Sequence, residues 1–328
     1  MMNQEQQHQE IKMDVSTLQA MRRQEKNYMC GDYLYQQQEE SRYRLNWPQQ
    51  NGINVACRSS MLIWMQTVVN FIGFEPETVE IAMSYLDRFL QTPAGNDAMN
   101  CRTIFQLAAM TALYTAVKIN CAEALTPKLL AELSQGSYQE DQFENMECIM
   151  LEALQWRVNP PTGTSLVHEI VDLIVASSQL DMTEELQQSI VETARLQAEF
   201  ALGDYELVTI KKSIVAVAAV ANALEHERIR GFHLQTFLQE VLVSGQQQED
   251  SSLELDLKQA SLVKKTLREA LPADDGEEQD PSTVVLDMDS SSRSIGKSLQ
   301  EDEDVPRKRM SAGRSPRSVI QRNVAHAA

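Results

Sequence analysis

The chain has 328 residues, 43% of them hydrophobic, with only 12 glycines and 10 prolines, so it holds apolar material for two ordinary domains and long stretches free of backbone breakers. Its formal net charge is −18, unevenly placed: residues 1–248 hold 31 acids against 17 bases, residues 249–304 hold 16 against 6, and residues 305–328 carry six bases and no acid. An acidic body repels a phosphate backbone, which excludes direct nucleic-acid binding as the main activity, and the short basic end does not reverse that.

The opening MMNQEQQHQE is too polar for a secretory leader, and the Gln-rich residues 1–13 are expected to lack fixed structure. From Asp14 the spacing of Leu18, Met21, Arg22, Glu25, Tyr28 and Met29 predicts a helix. A polar stretch follows, dotted with Tyr33, Tyr35, Tyr43 and Trp47. A strongly patterned block begins near Ile53. Its first helix is predicted over 55–72, because Met61, Trp64, Met65, Val68, Val69 and Ile72 recur at three- and four-residue spacing and so line one face. The next opens at Glu75-Pro76, where proline sits in a first turn that has no use for its missing N–H. It runs to residue 90 with Val79, Ala82, Met83, Leu86, Phe89 and Leu90 inward. Asn100 is read as the N-cap of a third helix through residue 119. Leu107, Ala108, Ala109, Met110, Ala112, Leu113, Ala116 and Val117 leave that helix apolar nearly all round, a pattern that belongs at the centre of a bundle. Thr126-Pro127 caps a short helix to residue 134, a fifth spans 138–154, and Asn159-Pro160-Pro161-Thr162 ends the block.

The pattern then recurs. Helices are predicted over 165–176, 183–202, 210–224, 233–243 and 253–271, and the third of these, from Ile214 to Ala221, is again Ala-rich and apolar. The fold class is therefore all-α: an N-terminal extension with a helix (1–52), two tandem five-helix units (53–162 and 163–271) and a tail (272–328). Residues 272–304 carry 11 acids and 2 bases with many serines, too little apolar surface to offset chain entropy, so the tail is expected to be disordered.

Five cysteines, Cys30, Cys57, Cys101, Cys121 and Cys148, lack CxxC spacing, and the five histidines never join them at zinc spacing. No metal and no cofactor is expected. No uninterrupted 18-residue apolar run stands out, so no membrane partner is expected either, and the reading is of a protein in a reducing compartment, nucleus and cytoplasm. No Gly-rich phosphate loop, Gly-x-Ser-x-Gly or His-Glu-x-x-His motif is present, and the chain is not read as an enzyme.

A family resemblance rests on four fragments in order. Cys57-Arg58-Ser59-Ser60-Met61-Leu62-Ile63-Trp64-Met65 and Tyr85-Leu86-Asp87-Arg88-Phe89-Leu90 resemble the first two helices of a cyclin box. The Ala-rich helix ending near Lys118 resembles its central helix, and Met146-Glu147 with Leu154-Gln155-Trp156-Arg157-Val158-Asn159-Pro160-Pro161-Thr162 resembles its close. The likeness covers residues 14–271 and is strongest over 53–162. Among cyclins the Tyr-Leu-Asp-Arg-Phe-Leu run is closest to the D-type, and Met21-Arg22-Arg23-Gln24-Glu25 has a fainter likeness to diatom cyclins.

Arg58 and Asp87 lie in or beside apolar stripes, where an unpaired charge is costly, and as a pair they can clamp the first two helices by charge-assisted hydrogen bonds. The resemblance implies the same structural pair. It also implies that Lys118 and Glu147 sit side by side and bind the backbone of the regulatory helix of a cyclin-dependent protein kinase, with Ile119, Leu151, Trp156 and Val158 supplying apolar contact around them; all four can instead be core, and Leu151 and Val158 read nearly as well that way. Lys donates and Glu accepts, which suits them to free carbonyl and N–H groups at a helix end. Spacing alone leaves both as ordinary solvated groups. Leu18, Met21 and Tyr28 of the N-terminal helix are further candidates for kinase contact. The family's docking patch for kinase substrates or inhibitors falls on Cys57, Ser60, Met61 and Trp64, where the Ser60 hydroxyl reduces the apolar surface. Trp64 reads equally well as core.

In the tail, Pro306-Arg307-Lys308-Arg309 has the form of a nuclear import signal, Ser315-Pro316 is a candidate phosphosite, and Arg42-Tyr43-Arg44-Leu45 has the bare form of a destruction motif. Three functions compete at this point. One is a kinase-activating cyclin, the second a DNA-binding transcription factor of the same fold, and the third a cyclin-fold scaffold without kinase activation. The acidic body and the missing zinc ribbon speak against the second. The joint presence of Lys118 and Glu147 speaks against the third.

Overall fold

The computed structural model describes residues 4–35, 52–121, 125–177, 180, 182–229, 232–243 and 257–269, and every secondary-structure element among them is an α-helix or a short 3-10 turn. Helix α1, Gln4–Glu25, starts earlier than composition suggested, because its run of Gln and Glu are good helix formers and do not need a buried face to adopt the conformation. Its second half packs on later helices rather than on the block that follows it. Leu18 belongs to the core built by residues 166–267, and Met21 packs against the same core, so neither is offered to a partner.

Helices α2, Val55–Ile72, and α3, Glu77–Leu90, form the first pair. Asn54 caps α2 by accepting the Cys57 N–H at 2.9 Å, and Gly73 ends it in the left-handed conformation at φ 89°, where a residue without Cβ is favoured. Helix α2 is long and apolar enough to cross a membrane by length and composition. Its stripe Arg58, Met61, Leu62, Met65, Val68 and Val69 is buried in the protein core instead, and that stripe includes a charge.

The short α4, Asn96–Asn100, precedes α5, Arg102–Asn120. Asn100 is therefore not the N-cap of the central helix. It closes α4 with its own side chain donating to the Asn96 carbonyl at 2.7 Å, and Cys101 breaks the two helices apart with extended backbone. Along α5 every residue from Leu107 to Val117 is buried, and the hydroxyls of Thr111 and Thr115 are satisfied by carbonyls one turn back, at 2.8 and 2.9 Å. Helices α2, α3, α4, α6 (Pro127–Leu133) and α7 (Glu140–Ala153) all touch α5. Thr126 caps α6 through the Leu129 N–H, as the Thr-Pro signal indicates.

Beyond Asn159 come α8 (Gly163–Ala176), α9 (Glu184–Gly203), α10 (Lys212–His226), α11 (Leu234–Val243) and α12 (Leu257–Glu269). Helix α10 repeats the role of α5: Ile214–Val220 is buried throughout, and α8, α9, α11 and α12 pack on it. Its Asn222 amide donates to Gln197 of α9 at 2.7 Å and to the Lys264 carbonyl of α12 at 3.0 Å.

The helical groups are joined by carboxylates that cap foreign helices. Glu80 of α3 accepts the Gly163 N–H at 2.7 Å, the Thr164 N–H at 3.3 Å and the Thr164 hydroxyl, which satisfies the first turn of α8. Glu25 of α1 does the same for α10, accepting the Ser213 N–H at 3.0 Å and its hydroxyl at 2.7 Å. Trp47, the Arg42–Leu45 motif and the whole tail, with Pro306–Arg309 and Ser315, lie outside the described residues.

Candidate functional site

Two ion pairs, each between residues 29 positions apart in the chain, hold the central geometry. Arg58 projects from the inner face of α2. Its Nε and Nη2 donate to the two oxygens of Asp87, each at 2.8 Å, and its Nη1 donates to the Leu202 carbonyl at 2.7 Å. Tyr33 completes the knot, its hydroxyl donating to Asp87 Oδ1 at 2.7 Å. The two charged side chains are 2% and 8% exposed. Burial by itself pulls the guanidinium pKa down, but the charge and hydrogen bonds of Asp87 outweigh it and hold the group above its ordinary value. The structure thus brings Arg58 and Asp87 together as a buried bidentate pair. It adds a third helix to the clamp, because Leu202 is an orphan carbonyl at the end of α9.

Lys118 lies in the last turn of α5, where a cation complements the helix dipole, and Glu147 lies in the middle of α7. Lys118 Nζ donates to Glu147 Oε2 at 2.9 Å and to Oε1 at 3.1 Å. The hydrogen bond that it donates to Glu147 raises the lysine pKa above its ordinary 10.5. The ring of Tyr114, one turn earlier on α5, lies 5.3 Å below the ammonium. The lysine side chain is 50% exposed and the glutamate 9%, so the pair is anchored on the carboxylate side and open on the ammonium side. An open ammonium retains donors for a second acceptor, and a carboxylate held by one lysine retains lone pairs.

The apolar residues predicted for this pair divide by exposure. Ile119 and Trp156 are exposed, at 42% and 67%. Leu151 is not. It stands one turn beyond Glu147 and is packed into the core. Val158 is half-buried, and its carbonyl accepts the Tyr85 hydroxyl. The docking patch is likewise broken: Cys57, Ser60 and Trp64 are half-buried, whereas Met61 belongs to the buried stripe of α2, one turn from Met65. Tyr28 is not free either, since the Arg88 guanidinium lies over its ring at 4.6 Å.

Three functional features went unread in the sequence. Tyr114 under the lysine had a signal, its i, i+4 spacing to Lys118. Tyr85 and Arg88 had one too, since they flank Asp87 in the same short run. The Leu202 carbonyl had none, because a backbone acceptor carries no residue identity.

The N-terminal cyclin domain model matches residues 17–159, the stretch that contains both ion pairs. Human Cyclin-O is 27% identical over 201 residues, covering 60% of this chain and 55% of that protein, so the match spans about half the length of that relative. The bovine G1/S-specific cyclin-D1 is 27% identical over 225 residues, covering 64% of this chain and 72% of that protein. Among solved structures, a viral cyclin from herpesvirus saimiri superposes with a TM-score of 0.51 at 18% identity, covering 67% of this chain and 88% of that one. At that identity the superposition shows the fold alone, which agrees with the all-helical architecture. Sequence match and helical architecture agree on one assignment: residues 17–159 of this all-helical chain carry an N-terminal cyclin domain.

Proposed function

We propose that this chain is a regulatory subunit that binds a cyclin-dependent protein kinase through the face bearing Lys118, Glu147, Ile119 and Trp156, and thereby favours the active kinase conformation. The observation that carries the reading is the Lys118–Glu147 pair itself, formed between two helices and left half open to solvent. A pair made only for stability has no use for an ammonium left half open to solvent. Facing a kinase, the lysine would donate to carbonyls at the end of the regulatory helix and the glutamate would accept from nearby N–H groups. Binding shifts the kinase only by as much as the active form is preferred, so the pair acts by stabilising the inward position of that helix, in which the kinase's own Lys–Glu contact forms.

The test is the double variant Lys118→Ala/Glu147→Ala, measured for capture of a recombinant cyclin-dependent kinase and for phosphorylation of a peptide substrate. Loss of both, with helical circular dichroism retained, is the expected result. A variant that still captures and activates the kinase would place the interface elsewhere, and a wild-type protein that captures the kinase without activating it would be a scaffold.

A further inference from the structure

Helix α7 ends in an unusual way. The Gln155 N–H bonds to the Glu152 carbonyl at 3.0 Å and the Trp156 N–H to the Leu151 carbonyl at 2.9 Å, the paired bonds that usually close on glycine. Here two successive residues with side chains, Gln155 at φ 55° and Trp156 at φ 57°, occupy the left-handed region instead. Such a turn is sparsely populated and persists only where its surroundings hold it. Its outcome is Trp156 standing far out of the surface just beyond the end of α7, the helix that carries Glu147.

The next three carbonyls are each held from outside the segment. The Arg157 carbonyl accepts Arg88 Nη1 at 3.0 Å, the Val158 carbonyl accepts the Tyr85 hydroxyl, and the Asn159 carbonyl accepts Gln24 Nε2 at 2.9 Å. The donors come from two helices, α3 and α1, and two of them are themselves restrained. Tyr85 is wholly buried, and burial pushes its pKa up to about 12, so it stays a donor across the physiological range. Arg88 is held against Tyr28. Pro160 and Pro161 follow, so Asn159 is confined to extended backbone and residues 157–159 belong to neither α7 nor α8. Three external bonds to three consecutive carbonyls are more than is needed to attach a linker.

We infer that Gln24, Tyr85 and Arg88 form a clamp that positions residues 156–159 as a rigid docking edge, presenting Trp156 as a preformed anchor to the kinase. This rests on the functional reading above and extends it from the residues that touch the partner to those that hold them. A large aromatic fixed in advance loses little freedom on binding, which is where a clamp gains affinity.

The test uses full-length protein in which Trp47 and Trp64 are Phe, leaving Trp156 as the sole indole. Tyr85→Phe removes one clamp donor and keeps the ring, while Gln24→Ala removes an exposed donor and cannot disturb the core. Each is expected to lower Trp156 fluorescence anisotropy and to weaken binding of recombinant cyclin-dependent kinase by about fivefold, the effect of roughly one hydrogen bond. With Trp156→Ala added, the same substitutions should have no further effect on affinity. Unchanged anisotropy in both variants, or equal weakening with and without Trp156, would overturn the clamp. A parent protein that binds no kinase would instead overturn the functional reading, and the anisotropy would still judge the clamp.

Discussion

Arg58–Asp87 and Lys118–Glu147 are the same chemistry put to opposite uses. Both join neighbouring helices by two hydrogen bonds of about equal length. Around the first, the remaining capacity is filled: the third guanidinium donor goes to Leu202 and the carboxylate takes a further bond from Tyr33. Around the second, the ammonium side chain is 50% exposed, held by Glu147 and lying over the Tyr114 ring. A satisfied buried pair fixes a fold, because removing either partner strands the other in a poor solvent for charge. A half-open pair contributes little to the fold and keeps its donors for another molecule.

That contrast is broken most directly by Arg58→Ala. Stranding Asp87 should cost about 3–5 kcal/mol, a fall of about 10 °C in the thermal midpoint followed by circular dichroism. A shift of less than about 2 °C would mean the pair is not the knot the geometry implies. Next in size, truncating Glu147 should weaken kinase binding by about 2–5 kcal/mol in a titration, because its partner groups are left unpaired in the complex. Tyr33→Phe takes one of three bonds from Asp87's environment and should cost about 1 kcal/mol in urea unfolding. Lys118→Ala should cost at most about 1 kcal/mol of stability, since the exposed ammonium is well solvated in either state. The smallest signal is a titration of the lysine side chain by NMR in Glu147→Gln. The raised pKa should relax toward 10.5, because the charged acceptor that favours the ammonium is gone. The sign follows: the pair's contribution is present below the ordinary lysine pKa and is lost as pH rises through the raised one.

Much of the buried half was legible beforehand. A helix over 55–72 and the all-round apolar patterns of α5 and α10 follow from period and composition, and both apolar helices sit at the centre of their neighbours. Arg58 and Asp87 stood out because a charge inside an apolar stripe must find a partner. Their further partners were hidden, since the Leu202 carbonyl lies 144 residues away and a carbonyl looks the same at every position. Lys118 and Glu147 were legible only through family resemblance. Spacing places each on its own helix but not on a shared face, which depends on how α5 and α7 rotate against each other. Met61 and Leu151 each admit two readings, core or contact surface, because both belong to apolar stripes, and packing turns both inward. Asn100 has the residue type of an N-cap, and nothing in local composition separates a short helix from the helix it precedes.

The most direct measurement of the central claim is site-specific photo-crosslinking. With p-benzoylphenylalanine in place of Ile119, beside the half-open pair, and separately in place of Leu262, an exposed apolar residue on α12, each protein is irradiated with recombinant cyclin-dependent kinase. A covalent adduct from position 119 mapping to the kinase's regulatory helix, with none from position 262, is the expected result. An adduct from position 262 with none from position 119 would contradict the assignment of the Lys118–Glu147 face as the kinase interface.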